Sequence, residues 1–189
     1  MTIFGVAVIV VLYLTASNTL WSAGHIPIDY GKKLEQSNMK ITSTQMDDYL
    51  KEIQKIKNVT TVIVVKDIQG YCLTQDIVDE LENMGFDRAD TLLEESYHSF
   101  IGILNNGEVV YQQIGGDENI FFGGFVDEHY VYAVSATYST GNIGEVYVDD
   151  VSYAVNNRGF NIVTFSNEDD TLYDSVAYDA YVEGIPAYR

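Results

Sequence analysis

Apolar residues crowd together at the start of this chain and then spread into two recognisable spacings. Residues 3–14 are an almost unbroken apolar run, and the uncharged stretch continues to residue 22 with Leu20 and Trp21. A run of about 20 residues is enough to cross a hydrocarbon core as a helix. Trp21 then falls where aromatic side chains collect at a membrane interface. Residues 24–42 mix Gly, Pro, Ser and Lys without a period and are expected to form a linker. Met46, Tyr49, Leu50, Ile53 and Ile56 then recur at helical spacing, with Asp47, Lys51, Glu52 and Lys55 between them. That pattern predicts an amphipathic helix of about four turns, capped by Ser43 or Thr44.

Residues 59–65 are a continuous β-branched run, as expected of a strand covered on both faces. A second helix is predicted from its cap at Thr74 through Met84, with Ile77, Val78, Leu81 and Met84 buried and Gly85 as its stop. Beyond residue 99 the period changes to strands. Asn105-Asn106-Gly107 predicts a hairpin between residues 100–104 and 109–111, because Asn-Gly tolerates positive φ. Gly115 to Asn119 and the pair Gly123-Gly124 read as loops or bulges. Tyr130, Tyr132, Val134, Ala136 and Tyr138 alternate with other residues as one strand with an aromatic face. Two more hairpins are expected around Asp149-Asp150 and around residues 167–170. The fold class is therefore α+β: mostly antiparallel sheet with two packed helices, preceded by an N-terminal hydrophobic helix. The domain reading is an anchor helix at 1–23, a linker at 24–42 and one α+β domain at 43–189.

Charge is distributed unevenly. The formal net charge is −18, yet residues 1–28 hold no acid, Lys or Arg, and residues 29–66 hold seven Lys against five acids. Residues 67–189 hold three Arg against 23 acids, a body that would repel a phosphate backbone, so no nucleic-acid partner is expected. No cation precedes the first apolar run and no small-x-small site follows it, which favours a membrane anchor over a cleaved signal. A helix that packs among identical copies in a filament is the remaining alternative. Cys72 stands alone and excludes an intramolecular disulfide.

Two late motifs carry a family resemblance. Asn-Asn-Arg-Gly-Phe-Asn-Ile-Val occupies residues 156–163, and Asp-Ser-Val-Ala-Tyr-Asp-Ala-Tyr occupies 174–181. Together they resemble the opening half of the lectin-like domain of the interleukin-like EMT inducer and pancreatic-derived factor family. That domain also occurs in the stem of a protein O-mannose glycosyltransferase and in bacterial membrane proteins. In that family these strands come first, followed by a helix, a buried strand, a second helix ending in Gly and a hairpin. Here residues 44–111 resemble that second half, so the halves stand in permuted order. The resemblance implies that strands near 160–165 and 172–178 pair and join the sheet built by 60–65 and 100–111. Animal members are cross-linked by cysteines that this chain lacks.

Catalytic signals are absent from the pattern: there is no Gly-x-Ser-x-Gly elbow, no phosphate-cradling Gly motif and no zinc spacing among three His and one Cys. No cofactor, metal or catalytic residue is expected. What remains suits sugars, since aromatic rings stack on pyranose faces while Asp, Asn and His bind hydroxyls. Asp67, at the end of the buried strand, is the best-placed carboxylate, and the resembled family commonly has an acid there. Tyr71 follows in the same loop, and Tyr97 and His98 precede the neighbouring strand. Related domains often carry an Arg-Asp pair where Tyr97-His98 stands. The expected function is a membrane-anchored, extracytoplasmic, non-catalytic module at the cell surface, binding a carbohydrate through Asp67, Tyr71, Tyr97 and His98. The single sequon, Asn58-Val59-Thr60, and the resemblance both favour the outside. The alternative is a self-assembling, homo-oligomeric surface or filament protein.

Overall fold

A computed structural model describes residues 33–37, 41–182 and 187–189, all within a compact unit spanning Gly31–Arg189. The expected N-terminal helix lies outside the described residues. Among the described residues, no helix is long and apolar enough to cross a membrane.

The chain enters with strand β1 (Glu35–Gln36), forms helix α1 (Met46–Ile53), and continues as β2 (Val59–Lys66) and the short β3 (Ile68–Gln69). Helix α2 (Gln75–Asn83) leads through a 3-10 turn at Ala89–Leu93 to β4 (Tyr97–Asn105) and β5 (Glu108–Gly115). A separate group follows: β6 (Ile120–Val126), β7 (His129–Ser135), β8 (Gly144–Val148) and β9 (Val151–Ser152). The chain then returns as β10 (Gly159–Ser166), β11 (Thr171–Tyr178) and β12 (Ala187–Tyr188).

Strands β1, β11, β10, β2, β4 and β5 lie side by side in one large sheet, with β3 extending along β4 and β12 along β11. Only β1 joins it in parallel, through Glu35↔Thr171 and Gln36↔Leu172. Strands β6 to β9 form a second, antiparallel sheet of four. Ile63 and Val65 of β2 face the helices together with Phe100, Phe160 and Ile162. Val62 and Val64 face the second sheet with Ile101, Val131, Val146 and Phe165. The β-branched run is therefore covered on both faces, and the described unit has three layers: helices, large sheet, small sheet. Burying Met46, Tyr49, Leu50 and Ile53 of α1 contributes roughly 1.5–3 kcal/mol per side chain.

The pairing expected of the late motifs is observed. β10 pairs with β11 from Phe160↔Tyr178 to Phe165↔Leu172, and with β2 from Gly159↔Lys66 to Ser166↔Val59. The hairpin at Asn106-Gly107 is present, with Asn106 at φ 54° and Gly107 at φ 82°. Helix α2 ends in a Schellman motif, in which the Phe86 N–H donates to the Leu81 carbonyl (3.1 Å) and the Gly85 N–H to that of Glu82 (2.9 Å).

Several expectations need correction. Helix α1 spans only eight residues, because 3-10-type bonds from Lys55 to Glu52 and from Ile56 to Ile53 close it. Its N-cap is Gln45, without a side-chain bond; the Ser43 hydroxyl instead donates to the Glu52 carboxylate. Thr74 occupies the N-cap position of α2, but its hydroxyl makes no cap bond. Gly123 and Gly124 are neither loop nor bulge: they lie inside β6, opposite Tyr132 and Val131. Within the stretch expected as a linker, β1 pairs with β11, and Leu34 and Ile41 are buried.

Gly159 closes the junction between the late motifs. Its φ is +96°, and a Cβ there would lie 2.0 Å from the Tyr178 carbonyl oxygen. Gly159→Ala is expected to destabilise the protein by more than about 2 kcal/mol. The measurement is a fall in the denaturant midpoint; an unchanged midpoint would contradict this packing.

Candidate functional site

One end of the large sheet collects loops from four distant parts of the sequence. β2 and β10 are antiparallel, with Lys66 opposite Gly159, so residues following β2 lie beside residues preceding β10. The Phe160↔Tyr178 pair brings the residues after β11 to the same end. The Ile68↔His98 and Gln69↔Tyr97 pairs bring the start of β4 there as well.

Asp67 stands at the centre of this junction. Three residues separate Val64 from Ile68 where only two separate their partners Ile101 and His98. Asp67 takes up the extra step as a bulge at φ 52°. Its N–H donates to the Ala136 carbonyl (3.3 Å), which ties the bulge to the chain leaving β7. One oxygen of its carboxylate, Oδ1, is buried without a hydrogen-bond partner. A buried acceptor left unpaired costs on the order of 1–3 kcal/mol, a cost the bulge carries in the fold.

A 3-10 turn at Gly70–Cys72 follows. Only glycine fits at its start, since a Cβ on Gly70 would lie 2.2 Å from the Glu94 carbonyl oxygen. The turn throws Tyr71 outward, 71% exposed. Its ring meets the Tyr181 ring edge-on, with centroids 6.1 Å apart. Behind Tyr181, the Arg158 guanidinium sits 4.3 Å from the ring centroid. Arg158 also donates from Nε to Asp179 Oδ1 (3.0 Å) and from Nη2 to Oδ2 (2.9 Å). This fork joins the first late motif to the second. Asn157 and Asn161 brace it: the Asn157 N–H donates to Asn161 Oδ1 (2.9 Å), and Asn161 Nδ2 donates to the Asn157 carbonyl (2.7 Å).

Burial and neighbouring acidic groups set the protonation states in the cluster. Desolvation, then the charges of Cys72 and Asp67, push the Tyr181 phenol well above its ordinary value. Desolvation, Cys72, Tyr97 and Asp67, in that order, raise the Tyr71 phenol. Both hydroxyls therefore stay protonated at neutral pH and can donate. Burial pushes the Cys72 thiol up against the opposing hydrogen bonds from Tyr181 and Tyr71; a protonated thiol is a poor nucleophile.

Of the four residues singled out from the sequence, Asp67, Tyr71 and Tyr97 gather at this end. His98 does not join them. It alternates with Tyr97 across β4, is 2% exposed, and its Nε2 lies 3.0 Å from Ser96 Oγ and 3.3 Å from the Glu94 carbonyl oxygen. Tyr181, Arg158 and Asp179 also gather here, although none was among the four residues singled out from the sequence. The signal that could have found them was the expected pairing of the late strands with β2, which places both motif ends beside Asp67.

Two depressions lie at the other end of the sheet, near the start of β2. One of about 110 Å³ is lined by Ile53, Ile56, Val59, Met84 and Leu104. An open cleft of about 630 Å³ lies between Gly85, Asp87 and residues 107–112. Neither contains a predicted site residue. Among the described residues, no group of three or more His, Cys, Asp or Glu could hold a metal ion. No match to the chain is found among protein-family models, curated proteins or solved structures.

The Arg158 fork is half-exposed, so solvent weakens it. Arg158→Lys, which loses both the fork and the stack on Tyr181, is expected to cost about 1 kcal/mol. Nuclear magnetic resonance should show shifts confined to residues 67–72, 97, 156–161 and 179–182. Shifts spread over the helices would contradict a local role.

Proposed function

We propose that this chain is a membrane-anchored, extracytoplasmic, non-catalytic module that binds a glycan or cell-surface polymer. The observation that carries the reading is the exposed ring of Tyr71 beside the half-buried carboxylate residue Asp67. A sugar satisfies both at once, donating a hydroxyl to the carboxylate and laying its C–H face on the ring. Tyr97 and Tyr181 border the same place. The motif resemblance to the lectin-like family supports the same ligand class. His98 would act by supporting β4 from beneath, since its ring is buried.

Anchoring through residues 1–23 is supported by their uncharged, apolar sequence. The outer location rests on the family resemblance. The sequon adds little, because Thr60 is buried inside β2 and donates to Asn167 Oδ1 at 2.7 Å.

A second reading, self-association, has one observation in its favour. β5 pairs only with β4 among the described residues, so its other side is a free sheet edge.

The test is a glycan panel titrated against full-length protein in a sugar-free detergent, with Asp67→Asn and Tyr71→Ala alongside. Each variant is expected to weaken the bound glycan about tenfold or more, as loss of a charged hydrogen bond would. No binding across the panel, or no bound glycan whose affinity falls in both variants, would contradict the reading. A particle mass that falls on Val110→Lys would favour self-association through β5.

A further inference from the structure

The outer face of the small sheet carries an aromatic surface that no described element covers. The strand register defines it residue by residue. Phe121, Gly123 and Phe125 of β6 lie opposite Val134, Tyr132 and Tyr130 of β7. Tyr132 and Val134 in turn lie opposite Tyr147 and Glu145 of β8. Residues paired across antiparallel strands share a face, so five rings surround Gly123. The alternate residues, among them Ile120, Val131, Ala133 and Val146, are buried against the large sheet. The outer rings are open: Phe121 is 68% exposed, Phe125 57% and Tyr132 40%.

Gly123 shapes this surface. A Cβ there would lie 3.2 Å from the Tyr130 hydroxyl oxygen and 3.6 Å from Tyr132 Cδ2. The two tyrosines therefore recline over the glycine instead of standing off the sheet. Phe125 braces Tyr130 edge-on at 5.4 Å, and Tyr147 lies 6.1 Å from Tyr132. Polar groups fix the rim. The Tyr147 hydroxyl donates to Glu145, and Glu145 Oε1 accepts from Asn156 Nδ2 at 3.0 Å. Asn156 is itself held by Lys66, whose Nζ donates to its carbonyl (2.9 Å) and side-chain oxygen (3.0 Å).

Size and charge select the occupant. From Phe121 to Phe125 is about 13 Å, and from β6 to β8 about 10 Å. Even with the width of the rings, the patch falls well short of the ~800 Å² per partner of a stable protein interface. The face itself carries Glu145 and no Lys or Arg, on a body strongly acidic beyond residue 66. A polyanion or an anionic lipid surface would be repelled. Reclining rings bordered by hydroxyls and a carboxylate match a neutral chain of alternating apolar faces and polar edges.

We propose that this face is a stacking platform for an extended, neutral β-1,4-linked polysaccharide. Sugar C–H faces lie on Phe121, Phe125 and Tyr132, whose π faces are electronegative. Equatorial hydroxyls reach the Tyr130 and Tyr147 hydroxyls and Glu145. The platform is separate from the Asp67 cluster, and either surface can bind without the other.

The test is calorimetric titration of the full-length protein, in a sugar-free detergent, with cellohexaose and chitohexaose and with their disaccharides. At least one hexasaccharide is expected to bind tenfold or more tighter than its disaccharide. Phe125→Ala and Tyr132→Ala should each weaken it at least tenfold, at unchanged denaturation midpoints. Gly123→Val, which lifts Tyr130 and Tyr132 off the sheet, should do the same, while Asp67→Asn changes it less than twofold. No binding of either hexasaccharide, or binding indifferent to the three platform variants, overturns the proposal. Loss of binding in Asp67→Asn alone would assign the sugar to the other cluster and also overturn it. A particle mass that drops in the platform variants would make the face a contact between copies instead.

Discussion

The ladder between β2 and β10 is the contact on which the rest depends. Eight residue pairs join the strands from Gly159↔Lys66 to Ser166↔Val59. Every residue of β10 is buried, as is every residue of β2 except Lys66. The two strands divide the interior between them: Ile63, Val65, Phe160 and Ile162 supply the helix-side core, and Val62, Val64, Val163 and Phe165 the other. Separating them would expose both cores at once. Neither half of the chain supplies enough apolar surface to close the sheet alone, because β2 without β10 is a long apolar edge.

The same ladder creates the candidate site. Antiparallel pairing forces the chain leaving β2 to meet the chain entering β10, so Asp67 and Arg158 become neighbours although far apart in sequence. Asp179 then completes Arg158, and Tyr181 sits between Arg158 and Tyr71. The Lys66–Asn156–Glu145 chain of hydrogen bonds carries the connection to the outer face of the small sheet. Both candidate surfaces are thus held by side chains at the end of one strand pair.

What could be read from the sequence was what local chemistry decides. The β-branched run of β2 announces a strand buried on both faces, Asn106-Gly107 announces a hairpin, and Gly85 announces a helix stop. The late motifs announced their pairing with β2 through resemblance. Features set by tertiary contact were not legible. Ser43 looks like a cap until Glu52 takes its hydroxyl. Gly123 and Gly124 look like a loop because nothing local shows that Tyr130, Tyr132 and Phe122 will lie across them. For the same reason the alternating tyrosines of β7 were visible, but their union with Phe121 and Phe125 was not. His98 was grouped with Tyr97 by adjacency, although strand alternation sends the two to opposite faces.

Native-state hydrogen exchange tests most directly whether the early and late parts of the described unit form one cooperative body around β2 and β10. The amides of Ile63, Val64, Ile162 and Val163 should be the last to exchange, with the same opening free energy and the same denaturant dependence, equal to those of global unfolding. If the β10 and β11 amides exchange through a separate, lower-energy opening while β2 and β4 stay protected, the halves are independent and the central role given to this ladder is wrong.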